Sequence, residues 1–332
     1  MRTLFLGALC LALSVLASSA CRPAASSQGE SGSRSGTTRD NRGPAGAAEN
    51  AQGWGRPVHL ADLEDRAVNE SSGIAASRRN PGLLWTHNDS GDGPLLYAFD
   101  RRGRRRGVWR VTDAAAVDWE DIAAGPGPVS GQSYLYVADI GDNDAERAEV
   151  IVYRVAEPAI RPADAASNRK NPRRTEPAAA IRLKYPDGAH DAETLLVHPL
   201  TGDLYIVTKT LGATTGLYKL AAPFSTETRS TLVRLGTVGA PGLVGGLITG
   251  GDISPDGRRV VLCDYMDAYE WSLPGGAGTG FDEVWKQPVS STGLGLRRQG
   301  EAVCYRLDGQ AILATSELRP APLIEVTRAG RK

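Results

Sequence analysis

Five segments of this 332-residue chain can be laid over one another, and that recurrence limits the possible fold more than any other feature. "SSGIAAS" (71–77), "WEDIAAGP" (119–126), "AETLLVHP" (192–199), "GGDISPDG" (250–257) and "GEAVCYRLDG" (300–309) align on Ile74, Ile122, Leu195, Ile253 and Val303. Each opens on a small or acidic residue and continues into a short apolar run. Most then end in a turn where Pro fixes φ and Gly supplies a positive φ. A second apolar run follows ("LLWTHND", "YLYVADIGDN", "LYIVTK", "RVVLCDY", "AILATSE"), then a third ("LLYAFD", "VIVYRV", "GLYKL", "AYEWSL", "PLIEVT"). Four units show a fourth, as "GVWRV", "AAIRLKY", "TLVRLG" and "DEVWKQ".

Short β-rich runs in fours, repeating every fifty to seventy residues or so, predict an all-β chain folded as a single β-propeller. Five blades are expected, or six if another hides in the long interval 126–190. The last unit lacks a fourth strand, while "RPVHLADL" (56–63) stands unpaired before the first. Joining the two closes the ring and removes an open sheet edge.

In a blade, the start of the first strand and the end of the second lie on the same face of the disc, near the axis. Ser72, Glu120, Glu193, Gly251 and Glu301 share one aligned position at the first-strand starts. The second-strand ends bring His87, Asn88, Asp89 and Asp92 from "HNDSGD", and Asp139, Asp142 and Asn143 from "DIGDND". They also bring Lys209, Asp264 and Glu317. Approach loops add Asp118, His190 and Asp191.

Carboxylates gathered on a narrow inner ring raise one another's pKa and call for a cation, a shared proton or backbone donors. Oxygen ligands without His or Cys suit a hard ion such as Ca²⁺. The other reading is that the acids clamp neighbouring blades through backbone N–H groups. The order Ser, Glu, Glu, Gly, Glu resembles the calcium-activated apyrases, five-bladed propellers with a central Ca²⁺. That resemblance implies metal ligation by Ser72, Glu120, Glu193 and Glu301, while Gly251 has no side chain to offer. "SPDGRRVVL" is similar to TolB-type blades. The set "SGIA", "DWEDIA", "DIGDN", "DAETL", "GEAV" resembles a bacterial secreted propeller family of largely unassigned role.

Other motifs narrow the chemistry. "NDSGDG" (88–93) starts like a calcium loop, but Phe99 stands where an EF-hand requires a bidentate Glu, so a polar turn is expected. No serine elbow, HExxH or phosphate-cradling Gly-Lys loop occurs. His87, His190 and Asp191 are the candidates for acid–base catalysis, and His198 is expected to be structural. The basic runs "RRGRRR" (101–106) and "NRKNPRR" (168–174) fall on third-to-fourth strand connections, away from the acids, and read as solvated turns. Cys263 and Cys304 form either a disulfide or two separate buried thiols.

With 38 basic and 38 acidic residues the chain is neutral, which excludes a nucleic-acid-binding surface built on net charge. Residues 1–20 read as a signal peptide, with the apolar "TLFLGALCLALSVLA" after Met1-Arg2. "SSAC" resembles a bacterial lipoprotein signal that makes Cys21 the lipidated first residue, although Ser18 stands where such signals have Leu. Ordinary cleavage after Ala20 would instead release the protein. Residues 21–53 read as a disordered tether, since 22–53 contain no Ile, Leu, Val, Phe, Tyr or Trp. The propeller is expected over 54–330.

The expected function is therefore an extracytoplasmic, membrane-anchored monomer binding a small-molecule or envelope ligand in a calcium-organised polar funnel. The alternatives are a calcium-dependent phosphoester or nucleotide hydrolase and a docking scaffold for envelope proteins.

Overall fold

The computed structural model describes residues 53–329 except 90, 211–214, 241–246 and 276–279. The expected signal peptide, Cys21 and all of the tether but Gly53 lie outside the described residues.

The first strand, β1 (Val58–Asp62), belongs to the last blade. Blade one holds β2 (Ser71–Ala76), β3 (Leu83–Asn88), β4 (Leu95–Asp100) and β5 (Arg105–Thr112). Blade two starts with β6 (Trp119–Pro126), β7 (Ser133–Asp139) and β8 (Val150–Ala156). The chain then crosses to blade one as β9 (Arg173–Pro177), parallel to β5, and returns as β10 (Ala179–Lys184). Blade three is β11 (Ala192–Val197), β12 (Leu204–Thr208), β13 (Thr215–Leu220) and, after β14 (Ser230–Thr231) on the edge of blade two, β15 (Val233–Val238). Blade four is β16 (Gly250–Ile253), β17 (Arg259–Cys263), β18 (Asp267–Ser272) and β19 (Val289–Gly293). Blade five is β20 (Ala302–Tyr305), β21 (Ala311–Thr315) and β22 (Pro322–Thr327), with β1 antiparallel to β22.

The inner strands β2, β6, β11, β16 and β20 touch in that order, and β20 returns to β2, which closes a five-bladed propeller. The long interval 126–190 holds no sixth blade. Its extra length is the excursion that carries β9.

Five apolar clusters fill the structure, one between each pair of adjoining blades. Each inner blade face is therefore buried against a neighbour. Leu84 packs toward blade five and the adjacent Trp85 toward blade two. Burial on both faces explains why these strands read as continuous apolar runs rather than alternating ones.

One expected strand is something else. "DEVWKQ" falls in a 3-10 segment, Phe281–Lys286, and the fourth strand of blade four is the later "VSSTG". Aromatic packing decides this: Phe281 lies edge-on to His198 at 4.7 Å, and Trp285 packs against Trp271 at 5.9 Å. Cys263 and Cys304 are two free buried thiols.

Candidate metal and ligand site

Antiparallel pairing sets the beginning of each first strand beside the end of its second. The pairs are Ser71 with Asn88, Trp119 with Asp139, Ala192 with Thr208, Gly250 with Cys263 and Ala302 with Thr315. One end of the ring thus collects the acids. Among the described residues, Asp89, Asp118 and Glu120 each present a carboxylate oxygen, and these oxygens lie within 4.8 Å of one another. Asp89 follows β3 in blade one, and the other two flank Trp119 at the start of β6. The Trp119 indole is fully buried, donates Nε1–H to the Ala115 carbonyl at 2.9 Å and meets His87 edge-on. That anchoring fixes the acids on either side of it. Gly141 completes the packing, because a Cβ there would stand 2.2 Å from Glu120 Oε1 and 2.4 Å from Asp118 Oδ2.

Two like charges roughly 5 Å apart at an effective dielectric of about 20 repel by about 3 kcal/mol. The cluster carries that stress in its titration. Burial, then Glu193, Asp89, Asp118 and Asp191, drive Glu120 well above the usual carboxylate range. Burial, with Asp89 and Asp191, pushes Asp118 up to about 6. Burial pushes Glu193 up to about 7 against the pull of Lys209, and burial with Asp89 and Glu70 brings Glu317 to about 7. Glu301 is raised well above its ordinary value by burial and by Glu193. Its Oε2 is buried and has no hydrogen-bond partner among the described residues.

Positive charge nearby is already committed. Lys209 Nζ donates to Glu193 Oε1 and lies 5.6 Å from the centre of the Tyr265 ring. Arg147 donates to Asp139 at 2.8 Å and to the Gly141 carbonyl at 2.7 Å. Arg297, also buried, donates to the carbonyls of Thr315 at 2.9 Å and Asp264 at 3.2 Å. Neither arginine was singled out from sequence, since each sits in a loop outside the repeat frame.

The other sequence candidates divide into those at the cluster and those with structural tasks. Asp191 joins the cluster and accepts the Asp142 N–H at 2.8 Å. Ser72 donates to the Glu120 carbonyl at 2.6 Å and so ties blade one to blade two. Asn88 accepts the N–H groups of Asn69 and Glu70, and Asp92 accepts from Asn88 and Tyr97. Asp139 accepts the Val117 N–H, Asp142 caps the amides of Glu146 and Arg147, and Asp264 closes the turn before β18. Asn143 is exposed.

The two histidines turn elsewhere. His87 is wholly buried, donates Nδ1–H to the Asn88 carbonyl at 2.8 Å, and is held neutral by burial, which lowers its pKa to about 4. His190 bonds Asp187 and Tyr218, outward along blade three.

Blade clamping by acids does occur, one residue along from the ring position. Asp121 accepts its neighbour's Ile122 N–H at 2.8 Å and the Leu195 N–H of the next blade at 2.9 Å. Asp252 does the same with Ile253 and Tyr305, both at 2.8 Å. Sequence reasoning assigned neither of them this role, although each directly follows an aligned ring position. With the clamps supplied by Asp121, Asp252 and Ser72, the glutamates at the ring are left for other work.

The chain matches no protein-family model and no curated protein, so the functional reading rests on this geometry.

Proposed function

We propose that the protein binds a divalent cation, Ca²⁺, at the acidic end of the propeller axis, and through it a small ligand. Asp89, Asp118 and Glu120 would hold the ion, with Glu193 and Glu301 beside it. The observation that carries the reading is the close approach of three carboxylate oxygens, within 4.8 Å, together with the buried Glu301 oxygen that has no donor among the described residues. Oxygen-only donors at that spacing fit a hard cation, which would also relieve the mutual repulsion. The bound ion would offer its remaining positions to an oxygen-bearing ligand. The leader-like "SSAC" segment supports a location outside the cytoplasm, on a lipid anchor at Cys21. Ligand binding is favoured over hydrolysis because Lys209, Arg147 and Arg297 are spent on protein partners, and the two histidines are held by other groups, His87 by the Asn88 carbonyl and His190 by Asp187 and Tyr218.

Trp119, between two of the proposed ligands, makes terbium luminescence a direct probe. Terbium is expected to light up on binding, to be displaced by calcium, and to bind at least about tenfold more weakly in Glu120→Gln. Absence of sensitised emission, together with an unchanged melting temperature when millimolar calcium is added to stripped protein, would end the proposal.

A further inference from the structure

The connection between β8 and β10 is far longer than a turn requires, and long ordered connections are commonly functional. It is fixed to blade one along its length. Asn80 accepts the Ile160 N–H and donates to the Pro158 carbonyl, both at 2.9 Å. Ser167 Oγ accepts the Val108 N–H at 2.8 Å, and Thr175 Oγ1 accepts the Thr112 N–H at 3.0 Å. Between this arm and blade one lies a cleft of about 430 Å³. That falls within the roughly 300–1,000 Å³ of small-molecule sites.

Four arginines line the cleft: Arg79, Arg161, Arg173 and Arg174. Most of the acids there are already engaged. The Glu157 carboxylate is fully buried, accepting from Ser77, Trp85, Ser133 and the Arg79 N–H. Asp164 pairs with Arg173 at 3.0 Å and accepts the Arg161 N–H at 2.8 Å. Glu157, whose partners are neutral donors, and Glu176 then oppose Arg79, Arg161 and Arg174, which leaves the cleft with positive charge in excess. Arg79 Nη1 donates to the Glu157 carbonyl at 3.0 Å, which holds its guanidinium in place.

We infer that this cleft, at the opposite end of the blades from the acidic cluster, binds a phosphate-bearing anion. Guanidinium groups present planar paired donors matched to phosphate oxygens, and the arm, tied to blade one by these hydrogen bonds, carries three of them, Arg161, Arg173 and Arg174. The "NRKNPRR" run, expected to be a solvated turn, thereby supplies Arg173 and Arg174 to a built site. The inference does not depend on calcium at the other end.

The test uses inorganic pyrophosphate by calorimetry and phosphatidylglycerol vesicles by sedimentation, both in chelator so that the acidic end plays no part. Pyrophosphate should bind with a Kd below about 1 mM at low ionic strength and weaken with salt. The double variant Arg161→Gln, Arg174→Gln should lose about tenfold or more while melting as the wild type does, both side chains being exposed. Vesicle binding without pyrophosphate binding, abolished in that variant, would keep phosphate recognition and assign it to a lipid headgroup. No saturable binding to either probe, or equal binding by the double variant, would overturn the inference.

Discussion

Glu157 and Glu301 are both withdrawn from water, near opposite ends of the propeller, yet their surroundings differ in kind. Glu157 receives two serine hydroxyls, an indole N–H and a backbone amide, and it joins blade one to blade two. Glu301 has an oxygen with no donor among the described residues, and the charges acting on it are Glu193, Glu317 and Asp89, opposed by Lys209. A buried carboxylate with a full set of donors is part of the framework. One that is crowded by its own kind and short of donors stores a cost that a cation can remove. Burial alone does not separate the two cases; the count of donors does.

The contrast can be tested hardest by removing each acid. Glu157→Ala strands several buried donors and should cost about 3–5 kcal/mol in urea unfolding. Glu301→Gln should cost far less in metal-free protein at pH 8, because the repulsion it relieves from Glu193, Glu317 and Asp89 offsets the attraction it gives up to Lys209. A large loss in Glu301→Gln would show that the two ends are alike.

Acidity sharpens the comparison next. Asp118, Glu193 and Glu317 have folded pKa values of about 6, 7 and 7, raised above their unfolded values. The folded state therefore binds more protons than the unfolded state between about pH 4 and 7. Stability from these groups is complete below the unfolded pKa and is lost as pH rises through the folded values. Metal-free protein should lose several degrees of melting temperature between pH 5 and 8. Calcium should restore it, with affinity rising over the same window. A metal-free melting temperature that climbs through this range would contradict the arrangement.

Two smaller effects follow. Gly141→Ala pushes a methyl group into Asp118 and Glu120, and should weaken terbium binding about tenfold with only modest destabilisation. Ser72→Ala removes one interblade hydrogen bond, about 1 kcal/mol, and should leave cation affinity intact. A matching loss of affinity in Ser72→Ala would return that hydroxyl to the ligand set implied by the apyrase resemblance.

Five blades could be read from the chain because each inner strand is buried on both sides, which makes the apolar runs continuous and their turns regular. Phe281, Val284 and Trp285 misled for a related reason: an apolar cluster near the expected spacing reads as a strand until its packing partners are known. The ring glutamates were visible through alignment, since one register position recurs in every unit. Asp121 and Asp252 recur in only two units, and their task depends on which amide the next blade presents. Arg147 and Arg297 lie in loops, where position follows from chain path rather than period. The arginine cleft was hidden because it joins residues of blade one to an arm that leaves blade two.

The pairing of β1 with β22 has a consequence for how the molecule comes into being. During synthesis the earliest strand must wait, without its partner, until almost the entire chain has been made. Contacts of such long sequence separation form slowly, so the finishing of the circle should be the late event in maturation. A nascent chain stopped before Pro322 would keep four complete blades and a fifth open to any stray strand.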